Sequence, residues 1–283
     1  MTTYVHLLGS AALLMLVFAG LELLLPGEPQ PLSGRVFNFV YYPCVLGWLL
    51  LLQVLLAPVY TRFLTLAGGG LLPRLVAPQT GFVGQVIFAV AFAIVWDVWQ
   101  YWVHRWQHAS GVLWHTHKLH HDDHAVNSSS QTRQHLLNYL LLNVLYLPVV
   151  AIFGSLSPHA VAAFVMFRLW GFFIHANVRV GLGPLAPIIT SPQWHRIHHS
   201  RRPEHADKNF ATFFPVIDKI FGTYYRPSPD EFPPTGLISG DSEPVLRGAT
   251  FGPFVALFQA LTSSAGRSLA LNEEHQPDTA LNQ

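Results

Sequence analysis

At 283 residues the chain has room for one sizeable domain, or for a bundle of membrane helices around one site. Of these residues 51% are hydrophobic and 11% charged; a soluble domain carries roughly 25% charged residues, so an ordinary water-bathed globule is excluded. A net charge of +1 offers nothing to nucleic acid or another polyanion, and a single cysteine, Cys44, rules out intrachain disulfides and cysteine-based zinc or iron–sulfur sites.

A bilayer core needs roughly 20 apolar helical residues. His6–Leu25 is such a run, ended by Pro26-Gly27. It lacks the positive leading residues and the cleavage site of a signal peptide, so it reads as an uncleaved span. Val36–Val59 is a second span ending near Pro58, and Arg62–Pro78, with Gly68-Gly69-Gly70, reads as an interfacial linker. Phe82–Trp102 is a third span, interrupted only by Asp97. His104–Gln134 is polar and histidine-rich. Leu136–Phe153 and Ala160–Ile174 then form an apolar pair joined at Gly154–Pro158, the pattern of a helical hairpin that returns the chain to the side it left. That return places His104–His135 and His195–His205 on one face of the membrane. The expected fold is all-α, a polytopic membrane helical bundle with a histidine-rich face. Its expected parts are residues 1–80 (N-terminal spans and linker), 81–226 (the catalytic region, with its hairpin at 136–174) and 227–283. The last part ends in a polar tail, Asn272–Gln283, expected to be mobile.

Histidine is the unusual component. There are 16, as many as Lys and Arg together, and fourteen lie between His104 and His205. They fall into three patterns: His104-Arg-Trp-Gln-His108, His117-Lys-Leu-His120-His121 and His195-Arg-Ile-His198-His199. On a helix, positions i, i+3 and i+4 share a face. Each His-x-x-His-His therefore aims two or three imidazoles at one point, and His-x-x-x-His aims two. Eight converging nitrogens exceed the need of one ion and suit two. A lone histidine at a membrane interface is usually an ordinary packing residue. Burying this many ionisable rings without a partner, however, is costly.

The order of the three boxes around an apolar hairpin resembles the fatty acid hydroxylase/sterol desaturase superfamily of membrane di-iron enzymes. Asp97-x-x-x-Tyr101-x-x-His104-Arg105, Trp114-x-x-His117-Lys118-x-His120-His121, His175-Ala-Asn177-Val, Asn209-Phe-Ala and Asp218-Lys-Ile-Phe-Gly-Thr223 carry the resemblance, which covers about Phe82 to Tyr225. Around Asn127, Arg133 and Phe172–Pro184 the chain looks most like the alkylglycerol monooxygenases and bacterial sterol desaturase-like members. The resemblance implies metal ligation by His104, His108, His117, His120, His121, His195, His198 and His199, with His175 as a ninth ligand, and two iron ions per chain. His115 and His124 fall outside the family pattern, His135 matches only some members, and His6, His159, His205 and His275 read as ordinary. Ligating imidazoles usually donate their second N–H to a carboxylate or carbonyl. Asp97 is the leading candidate for such a partner, ahead of Asp122, Asp123, Asp207 and Asp218.

The expected activity is O2-dependent hydroxylation of a C–H bond in a lipid-like substrate admitted from the bilayer, with desaturation as the alternative outcome of the same site. No haem-attachment, iron–sulfur or dinucleotide-binding motif is present, so a separate electron donor of cytochrome b5, ferredoxin or reductase type is expected. A metal transporter would line a path with its histidines rather than cluster them on one face. A zinc hydrolase needs only about three protein ligands. Positive residues in His104–Lys118 and Lys219–Arg226 favour a cytoplasmic catalytic face, in the inner membrane if the source is bacterial or the endoplasmic reticulum if it is eukaryotic.

Overall fold

A computed structural model of the chain describes residues 2–75, 81–154, 158–240, 245–250, 252, 254, 255 and 258, with side chains from residue 9 onward except at 74–75, 158–160 and 245–246. The tail Asn272–Gln283 and parts of the 62–78 linker and the 154–158 connection lie outside the described residues. Helices make up the architecture, and among the described residues the one β-type pairing is an isolated bridge between Ser200 and Thr235. In chain order the helices are α1 (Thr2–Leu24), α2 (Leu32–Leu66), α3 (Leu71–Leu75), α4 (Phe82–Ala109), α5 (Gly111–His121), α6 (Leu136–Leu145), α7 (Leu147–Phe153), α8 (Pro158–His175), α9 (Pro192–His198), α10 (Pro215–Phe221) and α11 (Val245–Ala249).

Among the described residues, three stretches are long and apolar enough to cross a membrane: Leu32–Pro73, Phe82–Ala109 and Leu136–Phe153. Shorter apolar helices at Gly9–Leu24 and Val161–His175 pack with them. Large apolar side chains on α1, α2 and α4 point outward, Leu24, Val40, Leu66 and Phe82 each at least 70% exposed. A surface of that extent would aggregate in water and suits lipid. The chain is a membrane helical bundle.

Helix lengths place the histidines. The 28 residues of α4 span about 42 Å, against a hydrocarbon core of about 30 Å. The last turns, with His104 and His108, therefore project past the apolar layer. Trp102 and Trp106, with Arg105 over the Trp102 ring at 5.5 Å, mark the crossing. At Ser110 the chain turns sharply. Its extended backbone ends α4, and its hydroxyl accepts the Leu113 N–H at 3.4 Å to start α5. α5 then folds back along α4, so the first two histidine boxes face each other. Phe92, Trp96, Phe153 and Phe167 close a core between α4, α7 and α8, while Tyr101, Trp194, Phe210 and Ile217 do the same between α4, α9 and α10.

Two boundaries differ from the sequence reading. α2 does not stop near Pro58 but continues to Leu66, through the first residues of the expected linker. In lipid, opening a helix exposes backbone groups that have no water to bond, so a proline is absorbed; here Thr61 and Thr65 hydroxyls also donate to the Ala57 and Thr61 carbonyls. The first arm of the hairpin is two helices rather than one. Pro148 has no N–H to continue α6, and the chain breaks at Tyr146 before α7 begins.

Gly70 sits where α3 begins against the end of α7. Its φ is +110°, and a Cβ there would lie 2.6 Å from the Gly154 nitrogen. Gly70→Ala should therefore destabilise the bundle by about 1–3 kcal/mol, read as a lower thermal midpoint in detergent. An unchanged midpoint would mean that this backbone contact does not form.

Candidate metal centre

All nine predicted histidines meet at the projecting end of α4, in two groups. His104, His108, His117, His121 and His198 form one; His120, His175, His195 and His199 form the other. Within each group the candidate ligand atoms lie within 4.8 Å of one another. The division cuts through the sequence boxes, and this corrects the expectation that one box serves one point. Each His-x-x-His-His sends its i, i+4 pair to one group (His117 with His121, His195 with His199) and its middle histidine to the other. Successive residues on a helix diverge by about 100°, so i+3 and i+4 cannot both follow residue i to the same centre.

The nitrogens are set for a cation. His104 Nδ1 donates to the Phe210 carbonyl at 3.1 Å, His120 Nδ1 to Ser130 at 3.1 Å, His175 Nδ1 to Gly171 at 2.7 Å and His198 Nδ1 to Lys208 at 2.9 Å. Those bonds fix the tautomer and leave a lone pair on each Nε2. His120 Nε2 and His175 Nε2 then face each other at 3.2 Å, and His195 Nε2 is 3.1 Å from His175. In the first group His104 Nε2 lies 3.1 Å from His117 Nε2, and His108 Nε2 3.1 Å from His121 Nε2. At His120 and His175 both Nδ1 atoms are engaged by carbonyls, so the two facing Nε2 atoms carry lone pairs that repel unless something positive lies between them. Protons are disfavoured in that role. Burial first, then neighbouring imidazoles, hold His117, His120, His121, His195, His198 and His199 well below the usual imidazole range. Nitrogens about 2.1 Å from one metal would be about 3.0 Å apart in an octahedral and about 3.4 Å apart in a tetrahedral arrangement. The observed edges fall between. His198 Nε2, buried, has no hydrogen-bond partner at all. The residues present fit a metal in each group.

The remaining candidates sort by contact. Asp97 does not touch an imidazole. It lies two turns before His104, about 10 Å along α4, and its oxygens are taken by the backbone N–H groups of Thr212, Phe213 and Phe214 at 2.7–3.2 Å. Asp218 accepts from the Phe210 and Ala211 N–H groups at 2.8 and 3.0 Å, with burial pushing its carboxyl up to about 6. Together they pin the segment whose Phe210 carbonyl holds His104, so Asp97 acts one step removed from the ring. Asp123 accepts from the Ser130 hydroxyl and Asp207 comes within 3.6 Å of His108 Nδ1. Asp122 pairs instead with exposed His124 at 3.6 Å. His115 belongs to neither group. His135 caps α6 and reaches the Thr250 carbonyl, and buried His205 pairs with Glu231 at 3.2 Å.

Sequence reasoning missed Glu22. This carboxylate, fully buried on α1, pairs with Arg35 at 2.5 Å and accepts the Ser128 and Asn177 N–H groups at 2.7 and 2.9 Å. Ser128 opens the 3-10 turn Ser128–Thr132 that presents the Ser130 carbonyl to His120, and Asn177 follows His175 by two residues. The signal was available: an acid inside an apolar run, the same reasoning that singled out Asp97.

A cavity of about 300 Å³ opens beneath the imidazoles, touching His104 and His117 of one group and His120, His175 and His195 of the other. Its walls come from α1, α2, α4, α6 and α8, including Leu14, Leu49, Trp96, Phe164 and Phe172. Residues 89–223 match the fatty acid hydroxylase family. These residues, just under half of the chain, form a region similar to a fatty acid hydroxylase domain. All nine histidines, Asp97 and Asp218 lie inside it. Alkylglycerol monooxygenase from Homo sapiens is 37% identical over 129 residues, and that from Danio rerio 34% over the same length. Each comparison covers 45% of this chain and 28% of the relative. Ornithine lipid hydroxylase from Rhizobium tropici is 29% identical over 163 residues, covering 55% of this chain and 47% of the relative. The chain thus spans less than half the length of these curated relatives, and the likeness centres on the hydroxylase domain. No solved structure matches the chain.

Two predictions follow from the contacts. His120→Ala and His198→Ala should each lose bound metal, while His115→Ala, His124→Ala and His205→Ala should keep it, measured by elemental analysis of purified protein. Equal loss at His124 and His120 would redraw the boundary of the centre. Glu22→Ala, which leaves half-buried Arg35 and the Ser128 and Asn177 N–H groups without their acceptor, should destabilise the protein by about 3 kcal/mol and loosen metal retention during dialysis against a chelator. Wild-type retention in that variant would separate α1 from the centre.

Proposed function

We propose that the chain is a membrane-bound, O2-dependent di-iron enzyme that hydroxylates a C–H bond of a lipid, using electrons from a separate donor of cytochrome b5, ferredoxin or reductase type. The observation that carries this reading is the convergence of nine imidazoles, in groups of five and four, at the roof of a cavity walled by apolar helices. Relatives of the domain are lipid monooxygenases and hydroxylases, which supports the same class of reaction here. Iron held by His104, His108, His117, His121 and His198 and by His120, His175, His195 and His199 would supply dioxygen activation and the oxidising power that an unactivated C–H bond demands.

The chain's own residues do the rest. The carbonyls of Phe210, Ser130, Gly171 and Lys208 keep four imidazoles in the metal-ready tautomer. Trp96, Phe164 and Phe172 wall the space below them and would exclude bulk water from a substrate chain. The all-nitrogen donor set departs from soluble carboxylate di-iron bundles. Positive residues beside the first two boxes and in Lys219–Arg226 favour a cytoplasmic position for this face, in the inner membrane of a bacterial source or the endoplasmic reticulum of a eukaryotic one.

Enzyme purified from iron-supplied cells should contain close to two irons per chain. With a reductant it should also incorporate label from 18O2 into a lipid extract of its host. An unlabelled alkene as the product would favour desaturation, and product formation without oxygen would overturn the oxygenase reading.

A further inference from the structure

The cavity beneath the imidazoles is not uniformly apolar. Its amides and phenols largely satisfy one another. Gln107 Nε2 donates to Asn138 Oδ1, whose amide donates to Gln134 at 2.8 Å. The Asn143 amide donates to the Tyr139 carbonyl at 2.7 Å, and the Tyr146 hydroxyl to Gln100 at 2.8 Å. Arg168, on the same wall, differs. Among the described residues no carboxylate lies within ion-pair distance of its guanidinium and no hydrogen bond engages it. Its electrostatic neighbours are the phenols of Tyr42, Tyr139 and Tyr146. A guanidinium stays charged in proteins, and inside an apolar helix such a charge is costly without an anion beside it.

Position gives that charge a function. Arg168 and His175 are seven residues apart on α8, two turns, so they share one helix face about 10 Å apart. Both line the same cavity. We propose that Arg168 is a substrate-binding residue that holds the anionic end, phosphate or carboxylate, of an amphiphile whose apolar chain runs to the imidazoles. This rests on the lipid hydroxylase reading above and narrows its substrate class: an amphiphile whose anionic group is separated from the attacked carbon by a stretch of apolar chain. A planar guanidinium with five N–H donors matches either oxyanion in a bidentate manner. A neutral alcohol or sterol would leave the charge unpaired.

The test uses the full, metal-loaded chain in neutral detergent, titrated with an alkyl phosphate, a fatty acid and a primary alcohol of one chain length. Intrinsic fluorescence, to which Trp96 in the cavity wall contributes, reports binding. At least one anionic amphiphile should bind roughly 10- to 100-fold tighter than the alcohol. Preference for the phosphate alone or the fatty acid alone identifies which oxyanion the site takes, and preference for both supports the shared chemistry. Arg168→Gln should erase the preference and Arg168→Lys should keep part of it. Equal binding of the alcohol by the wild type, read without any variant, overturns the proposal, as does an undiminished preference in Arg168→Gln. Binding is measured without O2 or reductant. Its failure would leave lipid hydroxylation standing, and absent 18O incorporation would leave the anion site standing.

Discussion

Nine converging imidazoles, seven buried and two half-buried, are the constraint around which the rest of the molecule is arranged. Protons are poor partners for such a cluster, because burial and the neighbouring rings disfavour the imidazolium form. Holding the rings in that arrangement takes external fixing at their far nitrogens, and backbone carbonyls provide it at His104, His120, His175 and His198. Carbonyls orient a ring without setting a net negative charge beside it. The buried carboxylates stand one bond further out and fix the carbonyls' own segments: Asp97 and Asp218 for residues 210–214, Glu22 for the turn before Ser130.

The bilayer sets the second level of order. Helices α4 and α8 both end in a ligand-type histidine at the edge of the apolar layer, His108 one residue before the end of the first and His175 at the end of the second. The cavity descends from those ends between the same helices. A substrate chain lying along α8 would reach the centre while remaining in apolar surroundings, which suits a lipid better than a solute from water. Arg168 interrupts that apolar path two turns down.

The first two helices belong to this site as much as the hydroxylase domain does. Glu22 of α1 and Asn38 of α2, whose amide donates to the Ser129 hydroxyl at 3.0 Å, both clamp the turn that presents the Ser130 carbonyl. Ser10, Leu14 and Leu49 close the cavity on that side. All of them lie before residue 89, where the family likeness begins. Cavity shape is therefore partly set by residues outside the matched region.

The sequence by itself determined the membrane character, the main apolar runs and the histidine candidates, because these depend on short-range regularities: apolar run length and i, i+3, i+4 spacing survive without tertiary knowledge. Pro58 and Pro148 show where that local reading stops. The same residue type was absorbed in one helix and broke another, according to which backbone groups had partners nearby. Only the tertiary structure decided how the boxes divide into five and four, since the packing angles between α4, α5, α8 and α9 select which nitrogens meet. It also decided that Asp97 grips a backbone segment 115 residues away rather than an imidazole, that Glu22 clamps the turn before Ser130, and that Arg168 lines the cavity. A side chain's partner across the fold is fixed by three-dimensional proximity, and neither its identity nor its neighbours in sequence carry that information.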